Sequence, residues 1–424
     1  MNDTIKLPYG KTGISLELPV GTYSILQSRI EELRSDKSGI EIVREAMRNP
    51  WGGKTLKELA EGKKNATIIL SDHTRPVPSK DIIPLMLQEM RHGNPNIEIT
   101  LLVATGSHRG TTVEELTEKL GEDIVRSEQI VIHDCLSEDN VEVGVLPSGA
   151  KFMVNRVAVE TELLVSEGFI EPHFFAGFSG GRKSVFPGVC ARKTVLGNHC
   201  SAFIDHPCSR TGILDGNPIH QDMVYAARKI NLSYIVNVVI DKDKKTVAAF
   251  AGDMETAHEK GCEFLSKYCT VQAKPADIVI TTNGGAPMDQ NVYQSVKGLT
   301  AAEASAKEDA ILIMCAALAD GTGGDDFYRA LKECESPAAL YREIQKIPQD
   351  ETKQDQWEYQ ILARILIKHQ VIFVTEKENQ KIIEDMKMIY APNIETALKL
   401  AQGIKGEKAS LTIIPDGVSV VVRN

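Results

Sequence analysis

The chain has 424 residues, 42% of them hydrophobic, so it can bury a large core and has room for two or three domains. Its formal net charge is -10, and lysine and arginine form no long cluster. This argues against a nucleic-acid partner, because binding phosphates requires clustered cations. Against this acidic background, a local group of cations would favour small anionic ligands.

The sequence also bears on location and redox state. It contains no apolar stretch long enough to span a bilayer, and its first residues lack the basic and apolar regions of a secretion signal. We therefore expect a cytoplasmic protein with no membrane partner. The eight cysteines form no C-x-x-C pair, so buried free thiols are the simplest account. Metal binding by Cys190, Cys200 and Cys208 is a weaker alternative.

The first half of the chain alternates predicted strands and helices, which is typical of a mostly parallel α/β sheet. Ser79 is a candidate helix cap, and Thr112 to Glu115 form a capping-box pattern. A hairpin is expected across the turn at 241–244. The strands are expected at 66–71, 97–105, 129–133 and 163–166, and helices at 81–90, 191–203 and 254–267.

A second α/β unit follows a linker-like segment at 269–276. Strands are expected at 277–282, 310–315 and 371–375, and helices at 292–306 and 394–402. The fold class is therefore α/β, with two domains of mostly parallel sheet and the active site in the cleft between them. The expected parts are residues 1–268, residues 277–405, and a terminal hairpin at 406–424, whose return to the first domain the sequence leaves open.

Polar residues follow the predicted strands at the sheet edge where ligands bind in such folds. Arg75, after the first strand, has the forked donors that bind a carboxylate, although a surface salt bridge explains it equally well. His108 lies in a glycine-flanked loop after the second strand, and a histidine side chain in general suits acid–base work near neutral pH. A lone loop histidine is nevertheless more often incidental.

The segment Glu171 to Ser184 is the most informative, because glycines and aromatic residues alternate in it irregularly. Glycines permit close backbone approach to a ligand, and aromatic rings can stack on a planar one. Its GGRKS ending does not fit the phosphate-loop spacing G-x-x-x-x-G-K-[ST], since Arg182 separates Gly181 from Lys183. No G-x-G-x-x-G opens a strand–helix unit, so a nicotinamide-binding site is not supported either.

A fourth segment, Asp289 to Lys297, belongs to the second unit. Gln294 and Lys297 lie three residues apart and share one helical face. That face could close over a pocket of the first domain, whereas solvated helix positions are the plain alternative. Together the segments offer two bases and two carboxylate-binding cations around an anchored loop. Racemising a 2-hydroxy acid also needs a hydride acceptor, which a cofactor must supply.

These segments resemble the nickel-pincer-nucleotide lactate racemase family over essentially the whole chain. The matching stretches are SDHTRPVP (71–78), ATGSHRG (104–110), EPHFFAGFSGGRKSVFPG (171–188), GNH (197–199) and DQNVYQSVKG (289–298). The resemblance implies a covalently bound nickel pincer nucleotide, pyridinium-3-thioamide-5-thiocarboxylic acid mononucleotide, and cofactor-biosynthesis proteins as maturation partners. Nickel bound by sulfur and one imidazole in a square plane is chemically reasonable.

The resemblance also implies the role of each residue. Hydride would move between the substrate carbon and the cofactor while a histidine moves the hydroxyl proton. Lys183 would tether the cofactor and so belong to the nickel site, where His199 would be a nickel ligand. His108 and His173 would be the acid–base catalysts, and Asp72 and Ser179 would contact the cofactor. The residues implied to bind a small 2-hydroxy acid are Arg75, Lys297, Gln294, Tyr293 and Trp357.

Lactate is the first substrate choice, because these pocket residues suit a small acid. Malate, phenyllactate or another 2-hydroxy acid is the nearest alternative. A protein that binds nickel or a nucleotide without catalysis, and an NAD-dependent dehydrogenase, are alternatives of other classes.

Overall fold

The computed structural model describes residues 4–18 and 23–423. Its strands and helices are numbered here in chain order. The strands are β1 Thr4–Leu7, β2 Ile14–Glu17, β3 Tyr23–Ile25, β4 Asn65–Ser71, β5 Glu98–Ala104, β6 Gln129–Ile132, β7 Asn140–Val145, β8 Lys151–Asn155, β9 Leu164–Phe169, β10 Pro172–His173, β11 Gly177–Phe178, β12 Leu232–Ile240, β13 Thr246–Gly252, β14 Thr270–Gln272, β15 Ala276–Thr282, β16 Ala306–Cys315, β17 Gln370–Val374, β18 Ile389–Ala391, β19 Leu411–Ile414 and β20 Val421–Arg423.

The helices lie mainly between the strands of two large sheets. They are α1 Gly39–Arg48, α2 Leu56–Ala60, α3 Ser79–Gly93, α4 Val113–Leu120, α5 Glu122–Ser127, α6 Arg156–Val159, α7 Arg192–Asn198, α8 Ser201–Asp205, α9 Pro218–Lys229, α10 Met254–Cys269, α11 Val292–Glu303, α12 Asp325–Glu333, α13 Pro337–Ile344, α14 Gln356–Lys368, α15 Gln380–Asp385 and α16 Ile394–Lys405.

The first sheet has six strands in the order β13-β12-β9-β4-β5-β6. All of its pairs are parallel except β12 with β13, which form the expected hairpin. Both faces are buried: Ile68 and Leu70 enter one apolar cluster, and Ile69 between them enters another. A strand covered on both sides needs a continuous apolar run, which is why its position could be read from the sequence.

The second sheet is wholly parallel, in the order β18-β17-β16-β15-β19-β3. The expected fold class is therefore confirmed. The start of the chain departs from the expected boundaries, because β3 lies at the edge of this second sheet. Leu7 and Leu16 pack in the same core as Ile280. Their short apolar runs specify burial without specifying which sheet buries them.

The predicted terminal hairpin at 406–424 is wrong. Strand β19 lies between β15 and β3, while β20 pairs in parallel with β14, inside the segment expected to be a linker. Val421 packs in one cluster with Ile170 and Phe178, and Arg423 donates to the Gly212 carbonyl at 2.7 Å. The Pro-Asp-Gly pattern indicates only a turn between neighbouring residues. The partners of β19 and β20 are strands that lie far away in the chain.

The structure confirms one of the two helix caps predicted from the sequence and contradicts the other. The capping box at Thr112 and Glu115 is confirmed. Ser79 is not a cap but the first residue of α3, and its hydroxyl donates to the buried carboxyl of Glu167 at 2.8 Å.

Two further observations concern cysteines and membranes. All eight cysteines are free thiols, six of them buried, and none joins a metal-binding cluster within residues 4–18 and 23–423. Over the same ranges, every helix falls short of the length and apolarity needed to traverse a bilayer.

Candidate active site

The carboxyl ends of β4 and β5 bring Asp72 and His108 together. Nδ1 of His108 lies 2.7 Å from Oδ2 of Asp72, whose other oxygen accepts from the hydroxyl of Thr74 at 2.7 Å. Burial acts to raise the pKa of Asp72, but the hydrogen bonds from His108 and Thr74 outweigh it and lower the pKa. An ionised carboxylate only accepts, so Nδ1 of His108 donates, and in the neutral ring the lone pair lies on Nε2.

The loop that carries Lys183 is fixed by glycines. Gly180 and Gly181 have φ of 78° and 53°, a region that side chains rarely adopt. A Cβ at Gly181 would lie 2.7 Å from the ring of His258, and one at Gly180 would lie 2.6 Å from Oδ1 of Asn237. The backbone therefore turns tightly against its neighbours, which only glycine permits.

The side chain of Arg182 is hydrogen-bonded to the backbone of the same loop. It is fully buried and donates to the carbonyls of Phe178 at 2.8 Å and Ala176 at 2.7 Å. Ser179 is also engaged within the loop, because its hydroxyl donates to the Phe169 carbonyl and accepts from the Glu171 amide. These bonds hold the backbone of the loop that carries Lys183.

Lys183 is a half-buried amine with an unusual charge environment. Burial, with the positive charges of Arg182 and Arg75, holds the pKa of Lys183 well below its usual range. Lys183, Arg75 and Lys297 all lack an ion pair within the described part of the chain. A neutral lysine amine is a nucleophile, which covalent attachment requires.

His173 lies beside this amine. Its Nδ1 accepts from the Ala176 amide at 3.2 Å, and its ring packs edge-on against Phe175 with centroids 4.6 Å apart. Burial and the charges of Lys183 and Lys297 hold the pKa of His173 well below its usual range. The neutral ring therefore carries its proton on Nε2.

His199 is a buried imidazole between two aromatic rings, Phe175 and Trp357, each 5.1 Å away between centroids. Its Nδ1 has no hydrogen-bond partner among the described residues. Burial, then the charge of Lys183, lowers the pKa of His199 to about 3. A neutral imidazole is the form that binds metal.

The second unit completes the cleft through α11 and α14. Lys297 Nζ donates to Oε1 of Gln294 at 2.6 Å and lies 6.0 Å from the centroid of Phe174, across the cleft. Nε1 of Trp357 donates to the hydroxyl of Tyr293 at 3.1 Å. Gln294 and Lys297 thus share one helical face, as the spacing predicted.

Arg75 is exposed, and its positive charge depresses the pKa of both Lys183 and Lys297, secondary to burial. The structure thus groups three cations with three histidines. Two acidic residues beside Lys297, Glu171 and Glu358, were missed by the sequence reasoning. No spacing or motif marked Glu358, whereas Glu171 lay inside a motif without being assigned a role.

Comparisons with known proteins agree over the whole chain. A family model described as lactate racemase N-terminal domain matches residues 9–212, and one described as lactate racemase C-terminal domain matches residues 271–422. The chain belongs to the lactate racemase family. Its relatives include proteins named lactate racemase from Thermoanaerobacterium thermosaccharolyticum (53% identical) and Lactiplantibacillus plantarum (48% identical), each covered to 99% in both chains.

Solved structures agree with this family assignment. The lactate racemase apoprotein from T. thermosaccharolyticum superposes with a TM-score of 0.96 at 53% identity, over 100% of both chains. A Thermotoga maritima protein, 20% identical, has a TM-score of 0.61 over 87% of this chain and 97% of its own, which shows a shared fold. The lactate racemase family consists of isomerases, and the expectation of a racemase-type enzyme is confirmed.

Proposed function

We propose that this chain interconverts D- and L-lactate, using a nickel pincer nucleotide tethered to Lys183 and the acid–base pair His108 and His173. One observation carries the proposal: the amine of Lys183, with its strongly lowered pKa, lies near two histidines of lowered pKa and near Arg75 and Lys297, two cations that form no ion pair within the described residues. Tethering needs the amine, metal ligation needs a neutral imidazole, and binding of a small anion needs the cations.

The residues present fit the proposed group. Lys183 offers an amine whose pKa burial lowers, for a thioamide link, and His199 offers a neutral imidazole with an unpartnered ring nitrogen. The described residues contain no cluster of three His, Cys, Asp or Glu side chains, so further metal donors would come from the group itself. When bound, the group supplies a hydride acceptor, since the C–H of a 2-hydroxy acid is too weakly acidic for unaided deprotonation.

The chain's own residues bind the substrate and move its proton. Arg75 and Lys297 hold the carboxylate, and Gln294 orients Lys297. Nε2 of His108 accepts the hydroxyl proton, and Asp72 stabilises the resulting imidazolium. His173 serves the other enantiomer. The hydrogen bond between Trp357 and Tyr293 would hold two bulky side chains in place beside the substrate, an arrangement that suits a small acid such as lactate.

Maturation is tested by expression with and without cofactor-biosynthesis proteins, which we propose as partners. The processed chain should be heavier than its translation product by the mass of the cofactor and should contain nickel. A processed chain with neither would contradict the proposal.

Substrate choice is tested by racemisation of lactate, malate and phenyllactate with the loaded protein. We expect turnover of lactate. Turnover of malate or phenyllactate with none of lactate would move the assignment to that acid. Reduction of added NAD by lactate would instead favour a dehydrogenase.

A further inference from the structure

Asn283 is a buried side chain to which the proposed chemistry gives no role. It comes directly after β15, at the carboxyl end of that strand, and is 1% exposed. An Asn-Gly-Gly sequence at such a point is typical of a turn, in which the asparagine side chain bonds within its own loop. Here the amide of Asn283 also reaches α11, the helix that carries Gln294 and Lys297.

The side-chain amide of Asn283 uses both of its donor hydrogens and its oxygen. Nδ2 donates to the carbonyl of Met288 at 2.6 Å and to the carbonyl of Gln294 at 2.7 Å. Oδ1 accepts from the backbone amide of Gly298 at 2.9 Å. Exchanging the two ends of the side chain would place its oxygen against two carbonyls, so only this orientation satisfies all three partners. Asn283 is therefore held in one position against α11.

The two partners in α11 are the ends of a single helical turn. An α-helix joins the carbonyl of one residue to the amide four residues later, which here are those of Gln294 and Gly298. Each of these two groups bonds to Asn283, and the turn between them carries Lys297. Nζ of Lys297 in turn donates to Oε1 of Gln294 at 2.6 Å. Asn283 thus holds the backbone from which both side chains extend.

Gly298 gives independent evidence for this contact. Glycine is a poor helix former, because it loses more conformational freedom on folding than alanine does. Gly298 nevertheless lies inside α11, where it is buried. A Cβ at this position would lie 2.6 Å from Oδ1 of Asn283 and 3.0 Å from the carbonyl oxygen of Thr282. The close approach of Asn283 therefore requires a glycine directly after Lys297.

We propose that Asn283 is a positioning residue for substrate binding that acts through Lys297: its amide fixes the turn at 294–298 and so places Nζ of Lys297 to meet the substrate carboxylate. This rests on the proposed racemisation of a 2-hydroxy acid. The partners of Asn283 all lie in the second unit, so its loss should leave the cofactor link at Lys183 intact.

The experiment compares KM and kcat of the loaded wild type with those of Asn283→Ala. A less well placed Lys297 binds substrate and transition state less tightly to the same degree, so KM rises while kcat is little changed. We expect KM for lactate to rise by about ten- to a hundredfold, as for a binding group displaced by up to ~1 Å. Intact mass should show the cofactor still attached.

Asn379→Ala is the matched control for this variant. It removes a half-buried amide of the second unit that bonds to Leu318 and Thr375 instead of α11. A general effect of losing such an amide would raise KM in both variants. We expect the wild-type KM in Asn379→Ala.

Gly298→Ala tests the same contact while Asn283 is retained. If α11 only had to be stable, this change would be neutral or favourable, since alanine is the better helix former. We expect instead a rise of KM similar to that in Asn283→Ala, because the added Cβ displaces the amide. Gly403→Ala, at a glycine of α16 where a Cβ would meet no atom within 4 Å, is the control and should keep the wild-type KM.

A double-mutant cycle tests whether Asn283 acts through Lys297. Lys297→Ala should itself raise KM, and adding Asn283→Ala should raise it little further, because the group to be positioned is gone. Calorimetric titration of racemic lactate, which is already at equilibrium, into the loaded variants makes the same comparison without turnover. The dissociation constants should follow the order of the KM values.

The two proposals fail differently. A loaded wild-type enzyme that does not racemise lactate overturns the proposed function. A wild type that racemises lactate while Asn283→Ala and Gly298→Ala keep its KM overturns the role of Asn283. So does a full further rise of KM when Asn283→Ala is added to Lys297→Ala.

Discussion

The carboxylate of Asp72 lies 2.7 Å from Nδ1 of His108 and thereby determines which ring nitrogen of His108 can act as a base. Asp72 is buried, whereas the side chain of His108 is 43% exposed. The pair thus joins a fixed carboxylate to a ring that reaches the cleft. This arrangement gives Asp72 a contact with His108, and the nucleotide contact that the resemblance implied stays a prediction.

Asp72→Asn should lower kcat by roughly a hundredfold or more, because an amide no longer fixes the tautomer or stabilises the imidazolium. Intact mass should show the cofactor still attached to Lys183. His73→Gln is a suitable control, since His73 bonds to Thr111 instead. Wild-type kcat in Asp72→Asn would contradict the assigned role.

Lys183→Ala should abolish covalent loading, whereas His108→Ala should keep the cofactor mass and lose turnover. The physical reason is that the amine of Lys183, whose pKa burial lowers, forms the proposed bond to the cofactor. Intact mass spectrometry distinguishes the two variants, with Lys193→Ala, an exposed lysine of α7, as the control. Equal cofactor mass on Lys183→Ala and His108→Ala would count against the tether.

Arg75→Ala should raise KM for lactate by about 10- to 150-fold, the range for losing a hydrogen bond to a charged group. Arg109→Ala is a close control, because Arg109 is exposed and pairs with Glu115 at 2.5 Å. Its KM should stay within about twofold of wild type, as for other surface ion pairs. A similar rise of KM in both variants would show that the loss of positive charge in general, and not the loss of a bond from Arg75 to the substrate, raises KM.

The apoprotein should lose stability as the pH falls from about 6.5 toward 3. Burial lowers the pKa of His199 to about 3, so below about 6.5 the unfolded chain binds a proton that the folded chain does not. The loss is about 1.4 kcal/mol per pH unit for each such histidine. His173, His220 and His258 have lowered pKa values as well.

Urea denaturation between pH 7.5 and 5 measures this slope. His199→Phe, which places another aromatic ring between Phe175 and Trp357, should reduce the slope by about one proton. His92→Gln, at an exposed position, is the control and should leave the slope unchanged. An unaltered slope in His199→Phe would show that His199 does not stay neutral in the folded chain.

Features that depend only on residues close together in the chain, such as strand positions and one helix start, could be predicted from the amino-acid sequence. The apolar runs of β4, β5, β15 and β16 located both sheets, and the capping box located the start of α4. The quoted motifs indicated the family, because each is a run of neighbouring residues that can be read directly from the chain.

Tertiary structure alone decided which distant segments meet. It placed β3 and β19 in the second sheet and paired β20 with β14, none of which the local turn signal at 415–417 could specify. It also set Asp72 against His108 and placed His199 between the rings of Phe175 and Trp357. Charge states and strand partners depend on burial and on contacts across hundreds of residues, which no local pattern encodes.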